Sequence, residues 1–113
     1  MKHNSIRQHK LESLIIRSLS DIFIKEKTKL IGNALVSVTT VRLSPDLSLV
    51  KIYLSILPTD KRNEIFETIN LQKKFIRKLL GERIKNIRKI PDLIFFIDDS
   101  YDYAQNIEKL LQQ

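Results

Sequence analysis

Three groups of residues in this 113-residue chain have side chains suited to chemistry: two histidines, a set of three aspartates near the C-terminus, and a dense run of lysine and arginine. His3 and His9 stand six apart, a spacing that matches no common metal-ligand signature, and the chain contains no Cys to complete a zinc or iron–sulfur site. Asp98 and Asp99, with Asp102 nearby, offer oxygen ligands to a hard cation, but a metal cage needs such ligands ordered around the ion. Capping of a following helix uses the same residues more simply, since a carboxylate accepts hydrogen bonds from first-turn amides and suits the positive end of the helix. No metal and no cofactor is expected. Phosphate-binding glycine loop, dinucleotide fingerprint and serine-nucleophile motif are all missing from the sequence, and Ser44, Ser48 and Ser55 have no histidine close by. An enzyme is therefore not expected.

The basic run has a different character. Residues 73–89, KKFIRKLLGERIKNIRK, hold Lys73, Lys74, Arg77, Lys78, Arg83, Lys85, Arg88 and Lys89 against the single acid Glu82, so this segment carries +7, equal to the formal charge of the whole protein. Elsewhere a basic N-terminal part (+4 over residues 1–29) and an acidic C-terminal part (−4 over residues 92–113) cancel, with a neutral middle. Concentrated positive charge is what a polyanion selects. Phe75, Ile76, Leu79, Leu80, Ile84 and Ile87 recur through the run at helical spacings, which predicts a helix with one buried side and a charged outer side. Two readings stand: a solvated helix face that keeps a small protein soluble, or a surface for nucleic acid, where affinity comes from phosphate neutralisation and counterion release.

The elements that must position these charges follow from pattern and punctuation. Leu11, Leu14, Ile15, Leu19, Ile22 and Phe23 predict a long first helix from residue 5 to about 26, capped by Asn4 or Ser5, with Lys25, Lys27 and Lys29 at its negative end. Gly32-Asn33 breaks that pattern. Residues 34–43, rich in Val and Thr, predict a strand, Ser44-Pro45-Asp46 a turn, and Val50, Ile52, Leu54 and Ile56 alternating with Lys51, Tyr53 and Ser55 a second strand with one core face. Thr59 or Asp60 then starts a short helix through Ile65, Phe66 and Ile69, with a break at Asn70 before the basic helix. After Pro91, residues 93–97 predict a third strand with Phe95 and Phe96 on opposite faces. Asp98-Asp99-Ser100 opens a terminal helix with Ala104, Ile107, Leu110 and Leu111. One α+β domain over residues 1–113, a sheet covered by helices on one face, fits this order. No apolar run is long enough to span a bilayer, and MKHNSIRQHK lacks the apolar core of a secretory signal, so the cytoplasm is the expected compartment.

Several of these segments together resemble the bacterial ribosome-binding factor A family. The resemblance rests on the basic first helix, VSVTTVRLSPDLSLVKIYLSIL at 36–57, FIRKLLGERIKNIRKIPDLIFFIDDS at 75–100, and Ile107 with Leu110-Leu111, which together cover nearly the whole chain. It implies a type II KH-like domain, a three-stranded mixed sheet packed against helices. It further implies a monomeric, non-enzymatic assembly factor that binds the free 30S subunit and precursor 16S rRNA, supports maturation of the 5′ region of 16S rRNA, and serves growth in the cold. Ribosomal proteins are further possible partners. The RNA-facing residues implied are the eight cations of 73–89, with Arg7, Lys10 and Arg17 as weaker candidates. A small-residue kink that replaces the KH glycine loop in this family corresponds here to Gln72-Lys73-Lys74, so the bend must form without glycine. A ribosomal protein-binding adaptor and a generic DNA binder share the electrostatics and remain as alternatives.

Overall fold

The computed structural model describes residues 6–85, 87–100 and 111. Their elements run α1 (Ile6–Lys25), α2 (Lys27–Leu30), β1 (Leu35–Leu43), β2 (Leu49–Leu57), α3 (Arg62–Leu71), α4 (Lys73–Arg83) and β3 (Asp92–Ile97), with a single 3-10 turn at Thr59–Lys61 ahead of α3. The sheet order is β1-β2-β3, antiparallel between β1 and β2 and parallel between β2 and β3. This is the expected α+β, KH-like arrangement with a mixed three-stranded sheet. The expected cap at Asn4 or Ser5 and most of the terminal helix, including Ala104, Ile107 and Leu110, lie outside the described residues, as do His3 and Asp102.

Alternation along β2 sets the core. Val50, Ile52, Leu54 and Ile56 are buried on the helical side, and the register aligns them in rows with β1 and β3: Leu43 and Leu93 beside Val50, Val41 and Phe95 beside Ile52, Val38 and Ile97 beside Leu54. Ile15, Leu19, Ile22 and Phe23 of α1, Ile69 of α3 and Ile76 and Leu80 of α4 close over those rows. A bulge between Val38 and Thr40 keeps both halves of β1 facing inward. The inward positions shift from Val36 and Val38 to Val41 and Leu43, and the extra residue, Thr39, points its hydroxyl to the Asp98 carboxylate at 2.6 Å. Phe95 is buried and Phe96 lies on the outer face, as the alternation of β3 requires.

The first helix also serves the sheet through polar groups. Leu43 donates its amide to Glu12 Oε2 at 2.8 Å and accepts from Gln8 Nε2 at 3.1 Å. Gln8 and Glu12 stand one helical turn apart, so both reach the same residue on the open side of β1, where no further strand among the described residues supplies partners.

The turn after β1 is held by one carboxylate. Asp46 Oδ1 accepts from the Ser44 hydroxyl at 2.8 Å and from the Ser48 amide and hydroxyl at 3.2 and 2.8 Å, while Leu47 takes a positive φ of 63°. Hydrogen bonds from Ser48, then Ser44, hold the Asp46 carboxyl below its ordinary pKa of 3.8. The sign is that of a depressed acid: its contribution to stability is present above the ordinary value and is lost as pH falls through the lower, folded one. Carboxyl NMR titration is expected to place Asp46 below the usual aspartate range, and Ser48→Ala to move it upward; a Ser48→Ala titration curve identical to wild type would contradict the assignment.

Three expectations change. The break between α3 and α4 falls at Gln72 rather than Asn70, because Asn70 still belongs to the last turn of α3, and the Gln72 amide bonds back to Thr68 and Ile69 carbonyls. Gln72 has φ −99° and ψ 17°, open to any L-residue, so this joint needs no glycine. The basic helix ends at Arg83 instead of continuing to Lys89. Ile84 takes an extended conformation and is 2% exposed, so its side chain is buried by leaving the helix. Gly81 does not break α4 either. A Cβ at Gly81 would come 3.0 Å from Ile90 Cγ1, so the missing side chain admits Ile90 of the following loop against the helix, offsetting glycine's helix penalty of about 1 kcal/mol. Thr59 and Asp60 fall in the 3-10 turn, which has no side-chain cap.

Candidate nucleic-acid interface

The eight cations of residues 73–89 divide into a group spent inside the fold and a group facing solvent. Arg77 is half-buried and donates Nε to the Pro91 carbonyl at 3.0 Å and Nη2 to the Ile90 carbonyl at 2.5 Å, with Asp92 Oδ1 3.8 Å away. It ties α4 to the loop that enters β3, a structural task that phosphate contact would have to share. Arg83 bonds Asp21 of α1, and Lys25 lies 3.3 Å from the same carboxylate, so the C-terminal ends of α1 and α4 share one acid. The Arg83 hydrogen bond is the main cause of a lowered Asp21 pKa. Arg77→Gln is expected to destabilise the domain by about 1.5–3 kcal/mol, the scale of hydrogen bonds from a charged donor. Urea denaturation checks this; an unchanged midpoint and slope would make Arg77 dispensable to the fold and return it to the RNA-facing set.

Lys74, Lys78, Lys85, Arg88 and Lys89 are exposed, and Lys73 is half-exposed. Lys74 and Lys78 stand one turn apart on the outer side of α4, opposite the buried Ile76 and Leu80, and like charges at that spacing disfavour a helix. Lys73 and Lys74 also occupy the first turn of α4, which contains no acid, where the helix field repels cations. An arrangement unfavourable to the isolated helix becomes favourable once an anion approaches. Lys29 of α2 lies 3.8 Å from the centroid of the Phe75 ring, a cation–π contact that places another positive charge beside the start of α4. The sequence pattern assigns Lys29 only to the end of the first helix; nothing in its spacing announces Phe75.

The weaker candidates on α1 join the same region. Arg7, Lys10 and Arg17 are exposed and share one stripe of the helix at 100° per residue. Arg7 and Lys10 line a surface hollow with Leu11, Leu14 and Ile87, so the loop carrying Lys85, Arg88 and Lys89 lies against the N-terminal half of α1. The loop that continues from α4 therefore sets its cations beside Arg7 and Lys10 of α1. The local acids are mostly engaged: Asp21 with Arg83 and Lys25, Asp92 near Arg77, and Glu12 with Leu43 and His9.

Little supports other chemistry. His9 Nδ1 lies 3.5 Å from Glu12 Oε1 on α1. Asp98 accepts from Thr39 and from the Ser100 amide at 3.0 Å, while the helix it was expected to cap lies outside the described residues. Among the described residues no group of three or more His, Cys, Asp or Glu is placed to hold a metal, and no helix is long and apolar enough to cross a membrane.

Comparison with known proteins gives a consistent picture. The sequence profile of ribosome-binding factor A matches residues 7–111. Ribosome-binding factor A of Cytophaga hutchinsonii is 47% identical over 96% of this chain and 83% of its own length. Among solved structures, the crystal structure of ribosome-binding factor A from Thermus thermophilus superposes with a TM-score of 0.65 at 24% identity, covering 80% of this chain and 94% of that one. A Thermus thermophilus ribosome-binding factor A homology model, fitted into a cryo-EM map of its complex with the 30S subunit, gives a TM-score of 0.63 at 23% identity, covering 80% and 93%. The structural matches share the fold, and the sequence matches extend over the basic segments as well. This chain belongs to the ribosome-binding factor A family.

Proposed function

We propose that this protein is a non-enzymatic, monomeric assembly factor that acts in the cytoplasm, binds the free 30S subunit and precursor 16S rRNA, and supports maturation of the 5′ region of that RNA, with greatest importance in the cold. Residues 1–113 serve as one KH-like ribosome-binding domain. The observation that carries this reading is the adjoining set of solvent-facing cations on α1, α4 and the 84–91 loop, in a chain whose net charge is +7. The Thermus thermophilus relative fitted into a 30S complex supplies the partner by likeness.

Charge at this density favours phosphate, and each neutralised duplex phosphate adds about 0.9 to the salt slope of binding, less for single strands. Lys74, Lys78, Lys85 and Arg88 are proposed as principal contacts, with Lys73, Lys89, Arg7, Lys10 and Arg17 flanking them. Arg77 and Arg83 contribute field while keeping their structural bonds. Crosslinking of the protein bound to 30S subunits tests this: crosslinks from α4 and the following loop should fall mainly on rRNA. Crosslinks confined to ribosomal proteins would favour the adaptor reading instead.

A further inference from the structure

The sheet face turned away from the helices carries a second constellation that the basic helix does not explain. Tyr53 of β2 and Phe96 of β3 occupy paired positions, and their rings lie with centroids 5.0 Å apart and planes within 19°. That distance matches the separation of neighbouring strands, so the rings stand face to face across the two strands and, among the described residues, each keeps one free face. The free face of Tyr53 is turned toward β1, where its register partner is the small residue Thr40. A hollow of about 300 Å³ lies there, lined by Thr40, Arg42, Tyr53, Asp98 and Ser100.

Charge around this hollow is arranged for an anion with a donor-bearing edge. Arg42 and Lys51 face each other across β1 and β2, a like-charge pair that destabilises a sheet, and neither has an ion-pair partner among the described residues. Asp98 at the rim accepts from Thr39 on one oxygen and from the Ser100 amide on the other, with the Ser100 side chain also bonding the carboxylate, which still leaves lone-pair capacity. The Thr39 hydrogen bond, foremost, holds its pKa below the ordinary value, so near neutral pH it is an acceptor only.

We infer that this face binds single-stranded RNA by taking an unpaired base into the hollow against Tyr53, with its Watson–Crick N–H groups donating to Asp98 and its backbone phosphates on Arg42 and Lys51. An aromatic wall already backed by a second ring, cations beside it and polar groups at the edge suit a nucleotide better than an apolar peptide. Base-paired RNA is excluded because its base faces are stacked and its Watson–Crick edges are occupied. The platform lies on the opposite side of the sheet from α4, so it is separate from the basic surface proposed above. The two would let one RNA strand, or two, contact both sides of the domain.

The chain contains no Trp, which makes Tyr53→Trp a clean reporter. Indole fluorescence of this variant, checked for folding by circular dichroism and urea denaturation, is followed while a short single-stranded RNA or the same strand in a duplex is added. Saturable quenching by the single strand is expected, with about tenfold or greater weakening for the duplex, the range that one stacked base supplies. Adding Arg42→Gln and Lys51→Gln should weaken the single-strand titration by about tenfold, the effect of two lost phosphate contacts, whereas adding Lys74→Gln and Lys78→Gln should leave the quenching amplitude in place. Phe96→Trp serves the same purpose if Tyr53→Trp does not fold. No quenching at RNA concentrations where filter binding shows a complex, equal quenching by duplex, or quenching indifferent to Arg42 and Lys51 would each overturn the inference.

Discussion

Replacing Lys74, Lys78, Lys85 and Arg88 together with Gln is expected to reduce affinity for the small ribosomal subunit by about a hundredfold or more near physiological salt, with a shallower salt dependence. All four side chains are exposed and, among the described residues, none makes a hydrogen bond or ion pair, so the domain should remain folded. The effect is electrostatic. Removing four phosphate contacts returns counterions to the RNA, and the salt slope should fall by about 3 to 4 for duplex RNA and somewhat less for single strands. Arg77 is left out of the set because its loss would confound binding with unfolding. Binding isotherms at several salt concentrations, paired with urea curves, read both quantities; wild-type affinity and slope in the quadruple variant would remove this surface as the main RNA contact.

Leu54→Ala has the largest expected effect on stability, a loss of about 2–5 kcal/mol, the usual scale for emptying a buried leucine position. Leu54 is 0% exposed on the central strand and lies between Val38 and Ile97 in the register. Helices close that face, so backbone shifts cannot readily refill the space. Small domains have total stabilities of about 5–15 kcal/mol, so the variant should be measurably unfolded in mild denaturant. An unfolding free energy equal to wild type would mean that the site collapses without cost and that the core is looser than its burial indicates.

Alternation in β2 and the helical period of α1 were legible because a single periodicity persists there and one face is buried. The turn at Ser44-Pro45-Asp46 was legible from residue chemistry. By contrast, the end of α4 was hidden by its own pattern: Ile84 and Ile87 continue the apolar period beyond Arg83, yet Ile84 reaches the core from an extended backbone. Periodicity reports which side chains are buried and is silent on the backbone that delivers them. The bulge in β1 did leave a trace, since the valines change phase between Val38 and Val41 across two threonines. In the candidate site, concentration of charge was evident from the sequence, but its division was not. Arg77 satisfies backbone carbonyls, and a carbonyl partner leaves no complementary residue type to read. Asp21, which holds Arg83, lies 62 residues away in the chain and on another helix.

Tyr53 and Phe96 show a related limit. Alternation within each strand places both rings on the non-helical face, but only the parallel register of β2 and β3 makes them neighbours. Strand order carries that information, and a strand's own composition does not.

The central claim is that the exposed basic surface couples this protein to maturation of the small subunit. Depletion of the protein, followed by subunit profiling and mapping of 16S rRNA ends at permissive and low temperature, tests it most directly when paired with rescue by wild type and by the Lys74/Lys78/Lys85/Arg88→Gln variant. Accumulation of small-subunit precursors with immature 5′ ends, strongest in the cold and reversed by wild type but not by the folded variant, is the predicted result. Normal subunit ratios and mature 16S ends at both temperatures after depletion would contradict it.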